Sequence, residues 1–173
     1  MAAIRDHHFS TERLVVNEWH SFTGEEWTRS DLTVVVQEVL SDSVTQSLPP
    51  EWQGSYSTAR ASQWIEQRDE EGVTLLVVNK ESAKPIGLVI LFESDTTGEL
   101  RLGYMLAESA WGKGYASELI GGFVDWCKNH AIQSVVGGVE RNNIASRRVL
   151  EKNGFIEVTE AGGSDEQLFR IAF

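Results

Sequence analysis

The sequence predicts an α/β fold, one mixed, mostly antiparallel sheet of about seven strands with helices on both faces, and three observations carry that prediction. Val73 to Asn79, Pro85 to Phe92 and Gly98 to Leu106 are apolar runs of strand length. Only Lys80-Glu81-Ser82-Ala83-Lys84 and Asp95-Thr96-Thr97-Gly98 join them, turns short enough for an antiparallel meander. Beyond Leu106 the pattern changes to helix, strand, helix, strand with polar residues at the crossings, an order that carries the chain over a sheet face. The 173 residues, 41% of them hydrophobic, suit a single domain over residues 1–173 that buries its core without disulfides or metals.

Glu12 to Glu18 reads as the first strand, with Leu14 and Val16 on one face and Val15 on the other. Leu32, Val35, Val36, Val39 and Leu40 recur at helical intervals, so Asp31 to Leu40 is expected to be helical despite its β-branched run. Pro49, Pro50 and Gly54 mark a loop, and Ser41 to Ser57 is the natural position for a lid over a substrate. Thr58 is expected to cap a helix whose Ala61, Trp64, Ile65 and Arg68 share a face. After the meander come a helix from Gly112 to His130, a strand from Gln133 to Val139, a helix from Asn142 to Asn153 and two final strands. Gly103, inside an otherwise apolar strand, marks either a bulge or a close backbone approach.

Composition excludes several classes. Fifteen Lys and Arg against 26 Asp and Glu give a net charge of −11, which disfavours nucleic acid as a partner and biases the protein toward cationic or neutral acceptors. The opening Met-Ala-Ala-Ile-Arg-Asp-His-His lacks the apolar core of a signal peptide, and no apolar run approaches the ~18 residues of a membrane span. The expected compartment is the cytoplasm, with no membrane partner. His7 and His8 are expected in a frayed terminus with no metal role. Cys127 falls at helical spacing among Leu119, Ile120, Phe123 and Val124, which reads as packing rather than nucleophilic chemistry. Trp19, Trp27 and Trp52 are candidates for a pocket wall or a dimer contact, in a monomer or a homodimer.

The chemistry begins at Trp111-Gly112-Lys113-Gly114-Tyr115-Ala116. A glycine-interrupted turn between a strand and a helix leaves backbone N–H groups unpaired at the positive end of the helix dipole, a cradle for phosphate. Gly112 and Gly114 let an anion approach the backbone, and Lys113 can add a charge. Taken alone, such a turn serves equally as a tight loop. Val139-Glu-Arg-Asn-Asn-Ile-Ala-Ser-Arg-Arg-Val-Leu-Glu-Lys-Asn-Gly-Phe155 adds a second unit: a strand end, a polar cap pair, a helix, and Asn153-Gly154 as its stop.

Together these segments resemble the GNAT superfamily of acetyl-CoA-dependent N-acetyltransferases. Its (Gln/Arg)-x-x-Gly-x-(Gly/Ala) signature corresponds to Trp111 to Ala116, and its Asn-x-x-Ser helix with Glu-Lys-Asn-Gly-Phe to Asn143 to Phe155. Thr11-Glu12-Arg13-Leu14, Trp64-Ile65 and Leu102-Gly103-Tyr104 look like the branch containing the ribosomal-protein alanine N-acetyltransferases, and the resemblance runs from about Thr11 to Phe173. It implies a bulge at Gly103 that splays two central strands. It implies acetyl-CoA as co-substrate, held by Trp111, Gly112, Lys113, Gly114, Tyr115, Ala116 and Ser117, with the amide of Leu106 or its neighbours facing the thioester oxygen and Asn143 on the pantetheine arm. No metal is implied. The acceptor it implies is a primary amine, on a small molecule or a protein N-terminus, attacked without a covalent enzyme intermediate.

The proton donor usual in many relatives is a tyrosine where this chain has Leu150; the alanine-acetyltransferase branch instead points to Ser146, one turn from Asn143. A serine there also serves simply by back-bonding to the preceding turn. The glutamate often found two residues before the Gly-Tyr pair is Arg101 here, so the base falls to Glu99, through a water, or to Glu93, either of which reads equally as a surface carboxylate. Arg101 reads as an ion-pair partner of Glu99 or another carboxylate, or as a ligand for an acidic group on the acceptor. The absent glutamate and tyrosine keep a non-catalytic acyl-CoA binder in view as the alternative. A dinucleotide-dependent oxidoreductase fits poorly, with Ser117 at the third glycine and Gly137-Gly138-Val139 where an acidic residue is needed. The N-terminal third, Phe22 to Arg29 and Ser41 to Ser57 above all, is expected to form the acceptor wall.

Overall fold

The computed structural model describes residues 7–22, 29–158 and 166–173. They form an eight-stranded sheet in the order β1-β2-β3-β4-β5-β6-β8-β7. The strands are β1 (His8–Ser10), β2 (Leu14–Glu18), β3 (Val73–Asn79), β4 (Pro85–Glu93), β5 (Glu99–Leu106), β6 (Ser134–Glu140), β7 (Ile156–Val158) and β8 (Glu166–Ala172). Five helices accompany them among the described residues: α1 (Arg29–Val39), α2 (Asp42–Thr45), α3 (Thr58–Glu71), α4 (Tyr115–Lys128) and α5 (Ile144–Lys152). Every strand pair is antiparallel except β5 with β6. None of the described helices is long and apolar enough to cross a membrane.

The sheet separates two apolar cores. Leu75, Val77, Val89, Leu91, Leu100 and Leu102 meet Leu119, Ile120 and Phe123 of α4 and Leu150 of α5 on one face. Leu76, Leu88, Ile90 and Met105 meet Leu32, Val36 and Val39 of α1 and Trp64 and Ile65 of α3 on the other. β3 and β4 are therefore buried on both faces and read as unbroken apolar runs. Burying Val35, Val36 and Val39 also keeps the β-branched run of α1 helical, because tertiary packing outweighs its weak propensity.

Several expectations are corrected. His7 and His8 do not lie in a frayed segment: His8–Ser10 is a strand in which Phe9 pairs with Val16 and packs 6.5 Å from Phe123, while His7, 6% exposed, stacks on Trp126. Ser57, not Thr58, caps α3, its hydroxyl accepting from the Arg60 N–H at 3.1 Å. The long helix starts at Tyr115, three residues later than expected, because Gly112 and Gly114 take φ of +73° and +80°. No bulge interrupts β5 against β4, whose register runs unbroken from Gly87↔Leu106 to Glu93↔Leu100; the one shift in the meander lies at Val77/Val78. Trp19 is buried in the core, donating its indole N–H to Asp69 at 2.9 Å, and Trp27 lies outside the described residues, as do positions 23–28 of the expected acceptor wall.

Candidate active site

The two central strands separate even without a bulge. β5 pairs with β6 only from Glu99↔Ser134 to Leu102↔Gly137; beyond that β6 keeps β8 as its single partner, and β5 keeps β4. From Gly103 onward one edge of β5 is therefore unpaired. The Ala107 N–H donates to the Ile86 carbonyl at 2.8 Å, so alternation directs the N–H and C=O of Leu106 to the opposite edge, into the gap. The Trp111 indole N–H takes up that carbonyl at 3.0 Å, leaving the Leu106 N–H.

A cavity of about 500 Å³ opens above this edge. Leu106, Trp111, Gly112 and Gly114 through Ser117 border it on one side, Asn143, Ser146 and Val149 on the other, and Ser43 to Leu48 reach it from the expected lid. The first intrahelical bond of α4 runs from the Glu118 N–H to the Gly114 carbonyl at 3.2 Å, so the N–H groups of Tyr115, Ala116 and Ser117 have no intrahelical partner. No side chain caps them. A Cβ on Gly112 would meet nothing within 4 Å, so no neighbouring atom crowds the turn there. Lys113 does not border the cavity. Its carbonyl instead accepts from Arg13 at 2.9 Å, and the same guanidinium reaches Glu118 at 2.7 Å and lies 4.2 Å over the Tyr115 ring. Thr11 and the Arg13 N–H also donate to Glu118. Burial pushes the Glu118 carboxyl up, but these hydrogen bonds outweigh it and hold the group below its ordinary value. The β1–β2 turn thus clasps the glycine turn to the first turn of α4.

Ser146 and Asn143 face each other at the start of α5. The Asn143 side-chain carbonyl accepts from the Ser146 N–H at 3.2 Å as the helix cap, leaving its amide NH₂ for other partners. The Ser146 hydroxyl lies 2.7 Å from the phenol oxygen of Tyr104. Burial drives the Tyr104 pKa up to about 12, only partly offset by this bond, so the phenol is neutral at ordinary pH. Tyr104 belongs to the site although it was not among the residues singled out for chemistry. Its position on the same strand face as Leu102 and Leu106 was a signal, but the partner 42 residues away was not visible in one dimension.

A second cavity of about 190 Å³ meets the first across Tyr104, Met105, Asn143 and Ser146. Pro49 and Trp52 border it from the expected lid, Phe92, Arg101 and Gly103 from β4 and β5, Glu140 and Glu166 from β6 and β8, and Leu150 from α5. The two expected bases are elsewhere. Glu99 borders neither cavity; it accepts from Ser94 at 2.9 Å, Ser134 at 2.7 Å and Arg170 at 2.9 Å. Burial raises its pKa, but those three donors prevail and hold it below the ordinary value, so it is a poor base. Glu93 is exposed at the end of β4, opposite Leu100 and outside both cavities. Pattern alone does not reveal Glu140 and Glu166, because only the β6–β8 register brings them together.

Comparison with known proteins agrees with this geometry. A family model described as an acetyltransferase (GNAT) domain matches residues 25–156. No curated protein sequence matches. Among solved structures, an acetyltransferase of the GNAT family from Bacillus anthracis aligns with a TM-score of 0.75 at 18% identity, over 95% of this chain and 98% of its own. A putative ribosomal-protein-serine acetyltransferase from Vibrio cholerae aligns at 0.70 and 16%, over 95% and 97%. A ribosomal-protein alpha-N acetyltransferase solved with coenzyme A aligns at 0.71 and 15%, over 94% and 95%. At these identities the likeness is one of fold.

Proposed function

Because the chain belongs to the GNAT acetyltransferase family, we propose that this enzyme moves the acetyl group of acetyl-CoA directly onto a primary amine. The observation that carries the reading is the separation of β5 from β6, which opens one path between the free amides of α4, the Leu106 N–H and the Ser146–Tyr104 pair. Acetyl-CoA supplies an activated acyl group on a thiol leaving group.

The backbone N–H groups of Tyr115, Ala116 and Ser117 bind the pyrophosphate, where the helix dipole and the open glycine turn both favour an anion. The Asn143 amide NH₂ donates to the pantetheine arm. The Leu106 N–H stabilises charge that develops on the thioester oxygen, a contact that strengthens only as the reaction proceeds. Ser146 gives its proton to the departing sulfur, the neutral Tyr104 phenol, 2.7 Å behind, replaces it, and the pair regains that proton from solvent through the cavity as CoA leaves. Glu140 and Glu166 are the carboxylates bordering the second cavity, so removal of the ammonium proton falls to them or to a water they hold.

The test is a panel of primary amines incubated with enzyme and acetyl-CoA, read as free thiol and as acetylated product by mass spectrometry. Direct transfer requires both substrates bound together, so double-reciprocal plots should intersect. Parallel lines would point to an acetyl-enzyme and overturn the direct route.

A further inference from the structure

We propose that the acceptor is a zwitterion: a primary amine that also carries a carboxylate, held with its ammonium end between Glu140 and Glu166 and its acidic end on Arg101. This rests on the acetyl-transfer reading above and names the chemistry of its second substrate.

Two features of the second cavity carry it. Glu140 and Glu166 are direct cross-strand partners in the β6–β8 register, and both border the cavity. Like charges directly opposite destabilise a sheet unless a cation lies between them. None of the described cationic side chains pairs with either. The Glu166 carboxylate lies over Gly138, where an added Cβ would collide with it, so β6 is shaped to admit it. Glu140 also stands at the reacting end: its carbonyl accepts from the Asn143 N–H at 2.9 Å, one turn before Ser146.

Arg101 is the opposite pole. Its nearest carboxylate on the same strand face is Glu99, already taken by Ser94, Ser134 and Arg170. Among the described residues the guanidinium makes no ion pair; it lies 5.6 Å from the Phe92 ring centroid, and Arg101 borders the cavity. Arg101 pairs with Val136 in the parallel register, and Glu140 lies four residues further along β6, about 13 Å at strand rise. Long side chains at both poles shorten that span to a few bonds of ligand. A zwitterion satisfies both poles at once, whereas a simple cation leaves Arg101 unpaired and an anion meets the glutamate pair. Its small net charge also suits a protein of charge −11.

The test uses straight-chain ω-amino acids, each paired with its ω-amino amide, in two readouts. In the first, the N-acetylated products are titrated into enzyme saturated with CoA, which reads the acidic pole whether or not transfer occurs. The acid of the best-fitting length should bind at least tenfold more tightly than its amide. Arg101→Gln should abolish the difference and Arg101→Lys should restore most of it. Equal binding of acid and amide at every length, or a preference that survives in Arg101→Gln, overturns the acidic pole. In the second readout, thiol release from acetyl-CoA with the free amines should show the same preference in acceptor KM, and in Glu166→Gln the KM of acid and amide alike should rise at least fivefold. Unchanged acceptor KM in Glu166→Gln overturns the ammonium pole. An acid preference in product binding with no thiol released by any amine would overturn the transfer reading and leave the acidic pole standing.

Discussion

Ser146 and Tyr104 meet in one 2.7 Å contact, on which the proposed protonation of the leaving thiolate rests. If Ser146 protonates the leaving thiolate, Ser146→Ala should lower kcat by roughly 10- to 1,000-fold with little change in acceptor KM, the mark of a group used in the transition state. Unchanged kcat would make the serine a helix-cap partner and nothing more. Tyr104 is neutral until its raised pKa of about 12, well above the ordinary 10.0, so it works as a phenol and not as a base. Tyr104→Phe should therefore lower kcat without altering the shape of the pH–rate profile. An alkaline limb near 10.0 in the wild type that vanishes in Tyr104→Phe would show that the phenol ionises in the working range. Cys127 is the contrasting residue. Burial pushes its thiol up to about 12, so native protein should resist iodoacetamide at neutral pH, and denatured protein should be alkylated at one site by intact mass.

At the scale of an element, α4 depends on a turn that only glycine makes without strain, and on a clasp from the β1–β2 turn. Gly114→Asp sets a side chain at φ +80° and a like charge in the proposed phosphate cradle, so CoA should bind at least about tenfold more weakly by calorimetry, or ~1.4 kcal/mol. Full affinity in a folded variant would move the pyrophosphate elsewhere. The clasp also has a pH signature. Hydrogen bonds hold the folded Glu118 pKa below its ordinary 4.5, so the stability it adds is fully present above 4.5 and is lost as pH falls through the lower folded value. Glu118→Gln should melt a few degrees lower at neutral pH, with the gap closing as acid is added. A gap that persists in acid would assign the loss to packing instead.

Across the whole molecule, the two cavities meet on the line from Tyr104 to Ser146, and the segment Ser41 to Ser57 borders both. Its first half lines the larger cavity, while Trp52 lines only the smaller one, braced 4.6 Å from the Arg68 guanidinium and 5.6 Å from Trp64. Trp52→Ala should therefore raise acceptor KM and leave acetyl-CoA affinity nearly intact, measured with both substrates varied. A variant that loses acetyl-CoA affinity while retaining acceptor binding would put Trp52 on the wrong side of the site.

Local pattern determined the meander, the position of the glycine turn and the polar cap pair before α5, expected from Asn142 and found from Ile144 with Asn143 as cap, because each follows from neighbours within a few residues: strand alternation, capping and the φ freedom of glycine. Even the burial of Cys127 was legible from helical spacing. Tertiary structure decided the rest. His8–Ser10 became a strand because Val16 and Phe123 are there to receive Phe9, and Glu99 ceased to be a candidate base because Ser134 and Arg170 arrive from strands far along the chain. Tyr104 entered the site, and Glu140 met Glu166, only through contacts and registers that no short window contains. Hydrogen bonding and charge act over a few ångströms of space, and separation along the chain says little about that distance.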